Sequence, residues 1–286
     1  MKLVDLSAAT CGPGSFVEAN IDNALGSLKQ YGIVVIHSAF EPELISDFLT
    51  NSVAYGSYIE TCIRSGEEPE VSPFHAFNNS TLACNITALD PHTAPTQVND
   101  LTRTSLYKAV MTEFVQSIVR AVMGQNLGWT LARVRVVLPD GGEVDGRLGL
   151  HMEKYVARYP GLHNIWVPIT TEGRMSNVDV PGIQFLIGKA QFFESISDEE
   201  ATDFLGSLQD RKNGDFLEID TNAFLYRPVL QTGDIAIFSG DVPHGGHIPS
   251  EAKASRVGCD FRLFPWTDVD YSKGRTNLKA TQFMLA

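Results

Sequence analysis

From Trp129 onward the chain runs as a succession of short β-type segments broken by Gly, Pro or Asp: WTLARVRVVLP, HNIWVPI, GIQFLIG, AFLYRPVL, DIAIF and SRVGCDFRLF. Many short strands of this kind point to a sandwich or barrel, so the expected fold is mainly β with flanking helices. In the first segment Ala132, Val134, Val136 and Leu138 alternate with Arg133 and Arg135, which gives one apolar sheet face and one positive face. Those arginines face either solvent or a polar cavity.

The N-terminal part has a different period. Ile21, Ala24, Leu25 and Leu28 recur at helical spacing and stop at Gly32, just before the β-branched run GIVVI. Leu44, Ile45, Phe48 and Leu49 mark a second helix, and Leu106, Val110, Phe114, Ile118 and Val122 mark one longer helix ending near Gly124. Between these, Gly56 to Asp100 is rich in Ser, Thr, Asn and Pro and reads as a covering loop. No repeat, low-complexity tract or linker divides the sequence. One domain is therefore expected over residues 1–286, helical to about 125 and β-rich from about 126 to 266.

Charge and cysteine usage remove several classes of function. Lys+Arg 22 against Asp+Glu 34 gives a net charge of −12, so the average surface repels phosphate backbones and anionic lipid, and neither nucleic acid nor a membrane is expected as a partner. Cys11, Cys62, Cys84 and Cys259 are scattered without a CxxC pair, which argues against a disulfide framework or a structural zinc site. The start MKLVDLSAATC is too weakly apolar for a signal peptide. A reducing, cytoplasmic setting is the simplest reading.

Two segments carry the chemistry. In Leu150-His151-Met152-Glu153-Lys154 the His and Glu are two apart, so in an extended chain both side chains point to the same side. In LQTGDIAIFSGDVPHGGHIPS an apolar strand after Gly233-Asp234 delivers His244 at its far end in a Pro/Gly turn. Two histidines and one carboxylate on a β-scaffold match the facial triad that holds non-haem Fe(II) and leaves positions open for substrate and oxygen. Next comes the strand from Ser255 to Arg262, with Arg256, Gly258, Asp260 and Arg262 on one face, where a guanidinium could grip a carboxylate in bidentate fashion.

With these elements in this order, the sequence resembles the Fe(II)/2-oxoglutarate-dependent oxygenases, and within them the phytanoyl-CoA dioxygenase-like branch. The matching features are the helix before GIVVI, the strand ending in Pro139-Asp140-Gly141-Gly142, HxE, the His163-Asn164-Ile165-Trp166 strand, and the closing GD…H…R. Asp234 to His244 and His244 to Arg256 have nearly the family spacing.

The resemblance implies a double-stranded β-helix (jelly-roll, cupin-like) core. It implies Fe(II) on His151, Glu153 and His244, and 2-oxoglutarate as cosubstrate with its distal carboxylate on Arg256. It implies reaction with O2 that releases succinate and CO2 and hydroxylates or desaturates a small molecule. Most relatives have HxD where this chain has Glu153. Retention of an acidic ligand argues against halogenation, which needs that position vacant for chloride.

Several positions have rivals. His247 competes with His244 as ligand, although the distance from Asp234 favours His244, and Arg262 competes with Arg256 as the carboxylate anchor. Arg133 and Trp166 are further candidates to line the cosubstrate site. Tyr155, His163, Arg135, Phe77 and His247 are candidates for the substrate side, with specificity expected in the loops around Phe74–Asn79 and Gln191–Phe216. The expected substrate is an amino acid, peptide or natural-product intermediate. The competing reading is a cupin-like metal- or ligand-binding protein that does not use 2-oxoglutarate, against which stands the lack of a tight HxH cluster.

Overall fold

The run Ile33–Ile36 is apolar at every position because the strand it forms has no solvent face. Val34 and Ile36 enter one apolar cluster, while Ile33 and Val35 enter another. The same division by alternate residues runs through the neighbouring strands and separates the protein into layers.

The computed structural model describes residues 10–11, 18–67, 105–139, 150–153, 160–170, 173–187, 224–266 and 281–285. In chain order these form β1 (Thr10–Cys11), α1 (Glu18–Tyr31), β2 (Ile33–Ile36), α2 (Ser46–Ser65), α3 (Ser105–Val110), α4 (Glu113–Met123), β3 (Asn126–Val137) and β4 (His163–Ile169). There follow β5 (Gly182–Ile187), β6 (Phe224–Tyr226), β7 (Ile235–Ser239), β8 (His244–His247), β9 (Arg256–Pro265) and β10 (Thr281–Met284). A seven-stranded sheet has the order β1-β2-β7-β4-β9-β3-β10, and a three-stranded sheet the order β6-β5-β8. All pairings are antiparallel except β1 with β2.

On one face of the large sheet, Ile165 and Val167 of β4, Ile235 and Ile237 of β7, and Val257, Cys259, Phe261 and Leu263 of β9 pack against the helices. The helices meet them with Ala24 and Leu28 of α1, Leu106 and Val110 of α3, and Phe114, Val115, Ile118 and Val119 of α4. On the other face, Trp166, Ala236 and Phe238 pack with Ile183, Phe185 and Ile187 of the small sheet. The small sheet thus lies over the face opposite the helices. No helix among the described residues is long and apolar enough to cross a membrane.

Three expectations change. The apolar series from Leu106 to Val122 lies on two helices: Thr112 interrupts it with extended backbone (φ −60°, ψ 164°) and turns its hydroxyl toward Val115 N, 3.5 Å away, as the N-cap of α4. A hydroxyl that satisfies a helix-start N–H offers the backbone an alternative to continuing the helix. Second, Leu44 is exposed and sits in a 3-10 turn (Pro42–Ile45) ahead of α2. Third, Gly56, the expected start of the covering loop, is buried inside α2, where a Cβ would come 3.2 Å from Val257. The helix continues to Ser65 and is stopped by Gly66 in the left-handed region (φ 74°). Residues 68–100, the Gln191–Phe216 segment and Gly141-Gly142 lie outside the described residues.

Gly32 joins α1 to β2 with φ +72°, and a Cβ there would meet Val242 Cγ2 at 2.4 Å. Both the backbone conformation and the packing demand glycine. Gly32→Ala should therefore lower the unfolding free energy by about 2–4 kcal/mol. Urea denaturation checks this, and a loss below about 1 kcal/mol would show the turn to be adaptable.

Candidate metal centre

His151 and His244 are joined through their backbones before their rings meet. The N–H of each donates to the carbonyl of the other at 2.9 Å, forming an isolated antiparallel bridge. Residues directly opposite in such a pair project to the same side. Their ring centroids are accordingly 4.4 Å apart.

Glu153 completes the group. Its Oε1 is 3.7 Å from His151 Nε2 and 3.7 Å from His244 Nε2. One ligand atom from each of the three residues falls within 4.8 Å of the others, a spacing that could hold a metal ion. His244 is oriented from behind: its Nδ1–H donates to Val242 O at 2.9 Å, which leaves Nε2 with its lone pair toward Glu153. Phe238 packs on that ring at 4.6 Å between centroids. His151 is more open, its side chain 34% exposed against 2% for Glu153.

Burial alone would raise the Glu153 carboxyl, but Arg262, His151 and His244 together hold it well below the ordinary carboxylate value. Arg262 Nη2 donates to Glu153 Oε1 at 2.7 Å, with both side chains buried, and its Nε lies 3.7 Å from Asp260 Oδ2. Glu153 Oε2 has no hydrogen-bond partner among the described residues. The other oxygen is anchored by a guanidinium, so the carboxylate has one oxygen positioned and one still lacking a partner. Neutral His244, held below its ordinary value first by burial and then by His151, fits the same purpose.

A cavity of about 450 Å³, counting its open mouth, adjoins these residues. Asn164, Trp166, Phe238, Asp260 and Arg262 of the large sheet line it, with Ile183, Gly245 and Gly246 of the small one. Arg256 also lines it, donating from Nη1 to Gly182 O at 3.2 Å with its guanidinium 5.2 Å from the Trp166 ring centroid. Gly258, between Arg256 and Asp260, leaves the space the indole occupies: a Cβ there would come 3.3 Å from Trp166 Nε1.

Among the sequence candidates, the structure brings His151, Glu153, His244, Arg256, Arg262 and Trp166 to this cavity. It separates the two rival arginines by partner, since Arg262 is engaged with Glu153. His163 does not line the cavity. It precedes Asn164 on β4, and its Nδ1–H donates to Gly161 O at 2.9 Å. His247 also lies outside it, donating through Nδ1 to Asn177 Oδ1 at 3.0 Å. Arg133 and Arg135 pair through their backbones with Asp260 and Gly258, and their side chains, like Tyr155 and Phe77, lie outside the described residues. Asp234 accepts the N–H groups of Ser38 and Gln231 at 2.8 and 2.9 Å and so organises the turn before β7.

Asn164 and Asp260 also line the cavity, and neither matches a motif in the sequence. Alternation along HNIWVPI and RVGCDFRLF could have found them, once Trp166 and Arg256 fixed which face was inward.

No protein-family model matches the sequence, and no curated protein matches it. Among solved structures, the non-heme alpha-ketoglutarate-dependent epimerase SnoN from nogalamycin biosynthesis is similar, with 10% identity over 93% of this chain and 95% of that one, at a TM-score of 0.48. The non-heme monooxygenase ThoJ is similar as its nickel complex (10% identity, TM-score 0.46) and as the apo form (12%, 0.48), each over 84% of this chain and 76% of the other.

Two predictions follow from the electrostatics. Removing one partner of a buried ion pair leaves the other uncompensated, so Arg262→Met should cost about 3–5 kcal/mol in the metal-free protein. Arg262→Lys should recover part of that loss in urea denaturation, and equal stability of the Met variant and the parent would contradict the pairing. The second concerns pH. His247 is pushed down to about 4, first by burial and then by Arg227, and His244 is also lowered. Between these values and the unfolded value of 6.5, the unfolded chain binds more protons, so stability falls as pH falls. The thermal midpoint of the metal-free protein should decline from pH 7 to pH 4, and His247→Gln should flatten part of the decline.

Proposed function

We propose that this chain is a non-haem Fe(II)/2-oxoglutarate-dependent oxygenase that acts on a small molecule, with a jelly-roll core, in one domain. The observation that carries the reading is the His151–Glu153–His244 donor set at the edge of a cavity that also holds a buried arginine. Two imidazoles and one carboxylate suit Fe(II) and leave coordination positions open.

Charge balance supports a dicarboxylate cosubstrate. Arg256 and Arg262 offset Glu153 and Asp260, so a divalent metal leaves an excess of two positive charges in a largely buried space. A dianion restores neutrality. Bound iron would supply oxygen activation and the oxidation of the prime substrate. The chain's own residues do the rest. His151, Glu153 and His244 hold the metal from one side, and Arg262 keeps Glu153 charged and aimed. Arg256, steadied against Trp166, takes the distal carboxylate, while Ile183, next to the Gly182 carbonyl that Arg256 contacts, keeps water from that end of the cavity.

The phytanoyl-CoA dioxygenase-like branch and hydroxylation or desaturation remain the preferred finer reading. With a net charge of −12 on the chain, an amino acid, peptide or natural-product intermediate suits it better than a polyanion.

The test is anaerobic titration of metal-free protein with Fe(II) and 2-oxoglutarate, following the weak visible charge-transfer band of the chelate. The band should form with the parent and vanish in His151→Ala. In Arg256→Ala it should need at least about tenfold more 2-oxoglutarate, the loss expected for a charged hydrogen bond. Iron binding without a band at any 2-oxoglutarate concentration would favour a cupin-like metal-binding protein instead.

A further inference from the structure

Asn164 is 1% exposed, lines the cavity, and has no hydrogen-bond partner for either Nδ2 or Oδ1 among the described residues. A buried amide without partners destabilises a folded protein, so its persistence in an otherwise apolar strand, HNIWVPI, calls for a partner that arrives from outside. The candidate partners are set by its level in the sheet. Across β4 and β9, Asn164 pairs with Arg262, Trp166 with Asp260, and Pro168 with Gly258. On its other side Asn164 pairs with Phe238, which packs on His244. Asn164 therefore lies at the level of the His–Glu–His group, and Arg256 lies at the far end of β9.

From this placement we infer that Asn164 is a ligand-binding residue whose Nδ2 donates to a carboxylate held beside the metal, at the opposite end of the ligand from Arg256. Arg262 Nη1, on the paired residue, likewise has no partner among the described residues and supplies a second N–H at that level. A ligand with two carboxylates is then recognised separately at each end, by Asn164 near the metal and by Arg256 beyond Trp166. The assignment rests on the oxygenase reading for the identity of the ligand, but not for the existence of the contact.

Three probes divide the two ends: oxalate carries only the metal-proximal group, butanoate carries a single carboxylate for the distal end, and 2-oxoglutarate carries both. Binding to the Co(II)-loaded protein is measured by calorimetry for the parent, the near-isosteric Asn164→Leu, and Arg256→Ala. Asn164→Leu should weaken oxalate and 2-oxoglutarate about tenfold or more and leave butanoate unchanged. Arg256→Ala should weaken butanoate and 2-oxoglutarate and leave oxalate unchanged.

The thermal midpoint of the metal-free protein gives an independent sign. Removal of an unsatisfied amide should raise it by roughly 2–4 °C, whereas loss of a structural amide would lower it. Unchanged oxalate affinity in Asn164→Leu, or equal weakening of all three probes with a lowered midpoint, overturns the assignment. If the parent binds oxalate through Asn164 but does not bind 2-oxoglutarate, the oxygenase reading fails and the role of Asn164 stands. If the parent binds none of the probes, the direction of the midpoint shift alone decides: a rise supports a ligand-facing amide and a fall refutes it.

Discussion

Two backbone hydrogen bonds between His151 and His244 hold together the parts of this protein on which any chemistry depends. His151 follows the end of β3 and its succeeding segment, and His244 opens β8, so neither residue's own element places it near the other. The reciprocal bridge fixes both Cα positions at once and points both rings to one side. Glu153, two residues on, is then brought within 3.7 Å of both Nε2 atoms. The price of enclosing that carboxylate is met by Arg262, which reaches it from β9 at 2.7 Å.

The large sheet makes this arrangement possible because its two faces have different tasks. Along β9, Val257, Cys259, Phe261 and Leu263 pack toward the helices, and Arg256, Asp260 and Arg262 take the alternate positions on the cavity side. A shift of one residue in register would send three charged side chains among the apolar contacts of the helices and withdraw the guanidinium from Glu153. The continuous burial of β4, β7 and β9 therefore specifies register more strongly than a half-exposed sheet would. Asn164 and Trp166 are held to their levels by the same constraint.

Much of this was legible because alternation and helical spacing act locally. Gly32 separated α1 from β2, the run HNIWVPI stands as β4 with the ends that sequence suggested, and the run GIQFLIG opens β5 at Gly182, whose described strand ends at Ile187. His151, Glu153 and His244 stood out by residue type and spacing. What escaped was set by distant partners. Thr112 divides a helix through its own capping hydroxyl, while Gly56 is drawn into α2, where it meets Val257 of a remote strand. Arg262 and Arg256 share a face and residue type, and only the position of Glu153 distinguishes them. Asn164 looks unremarkable within an apolar strand until the sheet shows which neighbours it lacks.

The bridge between His151 and His244 also bears on how the molecule assembles. Its two strand segments are far apart in sequence, and closing such a loop is entropically late compared with forming α1 or the turn at Gly32. The complete donor set is then absent from the unfolded chain and from early partly folded forms, so a metal ion held by all three residues would bind only the finished protein. Binding of that kind draws the folding equilibrium toward completion in proportion to the logarithm of free metal concentration. For a chain that holds such an ion, metal supply in the surrounding medium would therefore govern how much of it persists in folded form.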